Sequence, residues 1–90
     1  MVIVAGTIRV EPGTRDEFVA ASRQSVVRAR ATEGCHEFVV AADPVLADVV
    51  VVLERWESAE ALMAFRGSGP GDDLSAMIVD VRVEQYAVVS

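Results

Sequence analysis

The sequence predicts an α+β domain: a four-stranded antiparallel sheet with two helices on one face. Three observations predict it. In Asp48 to Ser58, five consecutive aliphatics, Val49 to Leu53, lead into Glu54, Arg55 and the only tryptophan, Trp56. A strand with one wet face alternates apolar and polar residues, so a run on both parities describes a strand covered on both sides. Strand patterns flank each of two helical patterns, with Pro and Gly between them, giving the order β-α-β-β-α-β. The second and third strands are joined by a connection of about five residues beginning at Asp43-Pro44, which makes them an antiparallel hairpin.

Taken in order, Val2 to Val10 places Val2, Val4, Ile8 and Val10 on one parity and Ile3, Ala5, Thr7 and Arg9 on the other. Glu11-Pro12-Gly13 stops this strand, and Thr14 with Glu17 reads as a capping box opening the first helix. Phe18, Val19, Ser22, Val26 and Ala29 recur at three- and four-residue spacing, a stripe that lies on a sheet. Glu33-Gly34 ends the helix, and Cys35 to Ala42 forms the second strand. After Trp56, Ser58 caps a second helix carrying Ala61, Leu62 and Phe65, which the Gly67 to Gly71 run interrupts. Asp72 to Met77 allows one more helical turn before a last strand from Ile78 to Val89. This order is the split βαβ of the ferredoxin-like fold, with residues 1–90 as one domain.

Ninety residues bury only ~60 to 65% of the surface of the unfolded chain, and a hydrophobic fraction of 52% is more than so small an interior hides. Both helices lie on one face, yet the other face carries valines too, so the sequence predicts a homodimer in which two sheets stack. The single cysteine, Cys35, forms no intrachain bridge and suits a reducing cytoplasm. The net charge of -6, with eight scattered arginines, argues against nucleic acid. No window has the length of a membrane helix, and the N-terminus lacks the basic start of a signal peptide. A lone His and a lone Cys, without ligand-spaced partners, predict no metal, and no Gly-rich loop follows a strand to hold a cofactor.

Several segments resemble one family: Val10-Glu11-Pro12-Gly13, Asp16-Glu17-Phe18, Glu33-Gly34-Cys35 with Phe38, Asp43-Pro44, and Glu54-Arg55-Trp56-Glu57-Ser58 with Glu60-Ala61-Leu62. In order and spacing, over residues 1–66, they resemble the antibiotic biosynthesis monooxygenase (ABM) domain. The resemblance implies a dimeric α+β barrel with a pocket between sheet and helices. It also implies one of several chemistries: cofactor-free oxygenation of polycyclic quinols and anthrones, haem degradation, or isomerisation of a sugar-derived signal.

Trp56 falls at the family's pocket tryptophan, which implies that it holds an aromatic substrate while a carbanion meets dioxygen. Such chemistry needs a dry pocket that stabilises the enolate. Strand parity puts Val50, Val52, Glu54 and Trp56 on one face, and Val52 stands where an oxygenase of the family has an asparagine donor. The haem-degrading branch has an asparagine at about Gly6 and an axial histidine at about Phe65 or Arg66, so haem turnover is not expected here. His36, on the parity of Phe38 and Val40, is a candidate general base, and Tyr86 is a second candidate for the proton. The expected site is therefore Trp56, His36 and Tyr86, lined by Phe38, Val52, Glu54 and Phe65. The expected function is cofactor-independent monooxygenation of a polycyclic aromatic quinol or anthrone, with neither metal nor cofactor. The alternatives are a non-catalytic barrel that binds a small hydrophobic ligand, or an isomerase using the same pocket. Glu54 and Arg55 also read as cross-strand ion-pair residues, Cys35 as a small buried hydrophobe, and the Gly67 to Gly71 run as a lip over the pocket.

Overall fold

The computed structural model describes residues 1–68 and 74–89. The elements are β1 (Val2–Val10), α1 (Arg15–Arg30), β2 (Cys35–Ala42), β3 (Val49–Trp56), α2 (Ala59–Arg66), a 3₁₀ turn (Ser75–Met77) and β4 (Ile78–Ala87). All pairings are antiparallel and the strands lie in the order β2-β3-β1-β4. The ferredoxin-like arrangement read from the sequence is therefore the observed one. The lip at Gly67 to Gly71 and the Asp72-Asp73 turn fall largely on residues 69–73, outside the described residues.

The run Val49–Leu53 is β3, and it is central, paired with β1 on one side and β2 on the other. Its even-numbered residues face the helices: Val50 and Trp56 are fully buried and Val52 nearly so. With Val2, Val4, Phe38, Leu62, Phe65 and Ala29, Trp56 forms one core cluster, and Val10, Phe18 and Val50 form a second. The odd-numbered residues of β3 point away from the helices. Register places Leu53 between Ala5 and Val39, and Val51 between Thr7 and Ala41. An apolar strip thus runs across the sheet face that no helix covers.

Arg55 lies at one end of that strip and pairs with Glu37 across the β2–β3 ladder at 2.8 Å. This is where the sequence reading of Glu54 and Arg55 divides: Arg55 has a cross-strand partner, whereas Glu54 lies on the opposite, buried face. Both members of the exposed pair are about two-fifths accessible, so Arg55→Gln should change stability by less than ~1 kcal/mol in urea unfolding.

Local signals hold to different degrees. Ser58 has extended geometry and its hydroxyl accepts the Ala61 N–H at 3.1 Å, as an N-cap should. Thr14 does not form the expected capping box. A tight turn brings its N–H onto the Glu11 carbonyl, and its hydroxyl donates to the same oxygen at 2.7 Å, so the side chain faces back into the turn. The β2–β3 connection is held by Asp43, whose Oδ2 accepts the N–H groups of Leu46 and Val45. Those two bonds hold the Asp43 carboxyl below the usual carboxylate range. Arg15 of α1 reaches over to donate to the Asp43 and Leu46 carbonyls.

Candidate functional site

Two features of the chain place the site residues: the alternation of β3, and the turn at Ser58 that folds α2 back over the strand's end. On the helix-covered face Glu54 sits directly between Val4 of β1 and Phe38 of β2, with Val52 and Trp56 two residues away along its own strand. The apolar parity of β3 therefore carries a carboxylate into the interior, and Glu54 is only 9% exposed. One satisfied contact is visible. The Trp56 indole Nε1 donates to Glu54 Oε1 at 3.0 Å, which the Glu-x-Trp spacing makes possible because both side chains leave the same face of one strand.

Burial pushes the Glu54 carboxyl above the usual carboxylate range, against the opposing pull of the Trp56 hydrogen bond and of Arg66. The folded chain then holds its proton at pH values where the unfolded chain has released it. At neutral pH this group opposes folding, and the penalty shrinks as pH falls through the raised folded value toward that of a free carboxylate. Glu54→Gln, which keeps an acceptor for the indole, should accordingly raise Tm at pH 7.5 and give little or no gain near pH 4. Equal gains at both pH values would show that something other than the charge is responsible.

The aromatic side chains pack on one another around Trp56, beside this carboxylate. Trp56 and Phe65 lie 5.2 Å apart between centroids, Phe38 meets Phe65 edge-on at 5.7 Å, and Phe38 meets Trp56 edge-on at 6.5 Å. Such contacts add to the burial energy of each ring. Phe65 is held from above by Arg28 of α1, whose guanidinium carbon lies 4.3 Å from the ring centroid. The same side chain donates to the Ser68 hydroxyl at 2.8 Å and to the Phe65 carbonyl at 3.4 Å. Contact with Trp56 from outside therefore requires Phe65 or Phe38 to move.

The three expected chemical residues do not converge. Trp56 is fully buried. Tyr86 pairs with Ile3, whose side chain is on the uncovered face, and its hydroxyl donates to Glu84 at 3.0 Å. It is half exposed, with the sheet between it and Trp56. The Glu84 carboxylate beside it raises the Tyr86 hydroxyl pKa. His36 falls in a bulge, where Cys35 pairs with Trp56 and Glu37 with Arg55, so strict alternation with Phe38 and Val40 is broken and His36 is exposed. Of the expected lining residues, Phe38, Glu54 and Phe65 adjoin Trp56, whereas Val52 shares its face of β3 but lies four residues away, outside its core cluster.

Cys35 packs beside this cluster, half buried. Burial first, then the neighbouring Glu54, raises its thiol pKa, while Arg30 opposes them, which keeps it in the unreactive thiol form. Arg28 had no sequence signal, because nothing in a helical arginine tells which ring it will cover. Glu54 did have one: a charged residue in the apolar parity Val50, Val52, Trp56.

An open concavity lies outside this cluster. Val19, Ala20, Ser22, Arg23 and Val26 of α1 and Val40 of β2 line an open, apolar cleft of about 280 Å³.

This arrangement, a ferredoxin-like sheet whose helix-covered face buries an aromatic cluster beside one carboxylate, defines a small α+β protein with a packed aromatic interior. The sequence model of antibiotic biosynthesis monooxygenase matches residues 1–73, and the chain belongs to that family. Solved structures agree in fold. A structure from Deinococcus radiodurans, provisionally assigned as an antibiotic biosynthesis monooxygenase, superposes with a TM-score of 0.87 at 20% identity, covering 100% of this chain and 94% of that one. One from Nitrosomonas europaea with the same provisional assignment gives 0.84 at 11% identity over the whole of both chains. A third, from Chloroflexus aurantiacus J-10-fl, gives 0.77 at 26% identity, covering 99% and 93%. No curated protein matches the chain. Among the described residues no helix is long and apolar enough to cross a membrane.

Proposed function

We propose that the chain is a homodimeric, cofactor-independent monooxygenase of anthrone-like or quinol substrates, with the substrate ring held against Trp56. The observation that supports this reading is the interior itself. Three aromatic side chains and a buried carboxylate share one sheet face, in a family whose name is that of a monooxygenase. The overall reaction balances with dioxygen alone: a methylene carbon loses two hydrogens and gains one oxygen as a carbonyl, and the second oxygen atom leaves as water. Carbanion formation needs a water-excluded site, and the burial of Trp56 supports placing it here, with the rings parting to admit a substrate. His36 in its exposed bulge and Tyr86 on the far face have no direct path to a substrate bound there. His36→Gln and Tyr86→Phe are therefore expected to retain turnover.

The dimer in this reading uses the uncovered face, where Ile3, Ala5, Val39, Val51 and Leu53 form the apolar strip. A stable interface of standard size covers ~800 Å² on each partner. That is a modest share of the 5788 Å² the single chain exposes. Light scattering should give twice the 9.6 kDa chain mass. Leu53→Glu, a charge at the centre of the strip, should reduce it to the mass of one chain, and a Leu53→Glu dimer would place the interface elsewhere.

A second reading, a barrel that binds a small hydrophobic ligand without turnover, is favoured by the apolar cleft between α1 and Val40. Its volume of about 280 Å³ falls just short of small-molecule sites, which begin at ~300 Å³. Oxygen uptake separates the two. Metal-stripped protein offered anthrones and hydroquinones should consume dioxygen above the autoxidation control. Saturable quenching of the lone tryptophan without uptake would favour the binding barrel.

A further inference from the structure

The geometry points to Glu54 as the proton acceptor of this interior, with its Oε1 fixed by the Trp56 indole and its Oε2 left to take the proton. This deepens the oxygenase reading and rests on the same site.

The argument begins with how a buried carboxylate is normally held. Removing a charged oxygen from water is costly unless hydrogen bonds or a cation replace the lost hydration, so structural carboxylates in cores are paired or multiply bonded. Glu54 is neither. Its neighbours across the sheet are Val4 and Phe38, and along the strand Val52 and Trp56. It accepts one neutral N–H, at Oε1. Among the described residues no hydrogen bond to Oε2 and no ion pair to the group is found, and Oε2 is not a buried orphan, so it keeps an edge to solvent; Arg66 at the end of α2 influences the group electrostatically. Cys35 on β2 is the other ionisable group within electrostatic reach. From α1, two charged side chains reach this cluster: Arg28, engaged with Phe65 and Ser68, and Arg30, whose Nε donates to the Phe38 carbonyl. A carboxylate with one oxygen tethered and the other free, in an apolar wall, is suited to accept a proton from carbon. Burial has already raised its affinity for that proton toward the working range of a general base.

The step can be written in full. The substrate's acidic C–H gives its proton to Glu54 Oε2, and the bonding pair stays on the substrate as a carbanion delocalised onto its ring oxygen. The carbanion reduces dioxygen and a C–O bond forms, giving a peroxide anion that takes the proton back from Glu54. Loss of water from the resulting hydroperoxide leaves the carbonyl, and Glu54 is again ionised. Trp56 acts as a positioning residue for the carboxylate. Phe65, packed on Trp56 and held by Arg28, borders the position the substrate ring would take.

The test isolates the proton from the oxygen chemistry. Under nitrogen in D₂O, wild-type protein is mixed with anthrone, and loss of the methylene proton signal is followed by NMR against a no-protein control. Exchange above that control is expected. It should fall by 10²-fold or more in Glu54→Gln, the usual size of a general-base contribution, with a smaller loss in Glu54→Asp, which keeps the acid one methylene further away. Emission of Trp56, whose indole touches the carboxylate, should follow a titration above the usual glutamate range in wild type and lose it in Glu54→Gln; the unshifted dimer mass of that variant shows it is folded. Exchange in Glu54→Gln at the wild-type rate, or no exchange in wild type, overturns the assignment. Exchange that depends on Glu54 but is followed by no oxygen uptake in air leaves the acceptor standing and removes the oxygenase reading.

Discussion

Trp56→Ala is expected to lose about 3–5 kcal/mol of folding stability, the cost of emptying a large, fully buried aromatic site. Domains of this size have only ~5–15 kcal/mol in total, so the variant should unfold at a temperature ~15 °C or more below wild type, if it folds at all. The loss is large for identifiable reasons. Trp56 touches Phe38 and Phe65, its indole N–H is the one hydrogen bond Glu54 receives, and it caps the cluster that joins β3 to α2. Truncation would therefore leave a cavity and a buried carboxylate without a donor. A Trp56→Ala protein within a few degrees of wild type in thermal unfolding would show that the cluster is not the core it appears from its burial. The consequence for function is practical. Absence of turnover in Trp56→Ala carries no information about substrate contact, and Trp56→Phe, which keeps an aromatic ring and much of the volume while removing the N–H, is the informative variant.

Why the fold was legible and the site less so follows from what each depends on. The order of elements rests on period and punctuation. Both are local: the two-sided valine run of β3, the Pro-Gly turn after β1, the stripe Phe18, Ser22, Ala29, and the Ser58 cap all read correctly because each is decided within a few residues. The Thr14 capping box failed because a hydroxyl can serve either side of its own turn, and the tight Glu11–Thr14 turn offered a nearer carbonyl. The site depends on which faces meet. Parity correctly grouped Val52, Glu54 and Trp56, but Tyr86, expected to join them, lies with Arg82 and Glu84 on the opposite face, because the face a β4 residue takes is set by its register with β1. For His36 parity was insufficient, since the bulge between Cys35 and Glu37 has no sequence mark that separates it from plain alternation. The role of Glu54 was obscured for another reason. Beside Arg55 it looks like half of an exposed ion pair, and only the alternation of faces, combined with the burial of both strand neighbours, takes it inside.

Gly6→Asn is expected to be at least as damaging, by overlap rather than by loss. At this position the family resemblance to haem-degrading enzymes would call for an asparagine, and the backbone here excludes one. Gly6 has φ 156°, and a Cβ built on it would fall on the Arg82 carbonyl oxygen of β4 and lie 2.7 Å from the Cα of Val83. These are backbone atoms of a paired strand, not the end of a flexible side chain. Relief would require β1 and β4 to separate, and Gly6 lies in the middle of that ladder, opposite Val83 on one side and Val52 on the other. Ordinary overpacking costs ~1–3 kcal/mol, and a clash with a strand backbone sits at or above the top of that range, so a loss of about 3 kcal/mol or more in urea unfolding is expected. Gly6→Ala should lose nearly as much, because the first carbon beyond Cα already makes the overlap. If Gly6→Ala unfolded within ~1 kcal/mol of wild type, the close approach of β1 to β4 would be wrong. The expected result means that the chain reaches its family's fold with a sheet packed too closely at β1 for a polar side chain there. The interior is then left with Glu54 as its polar group on β3, opposite Val4 and Phe38. In the proposed oxygenase reading, chemistry would start from that carboxylate or from a substrate's own oxygen, not from an amide donor on the first strand.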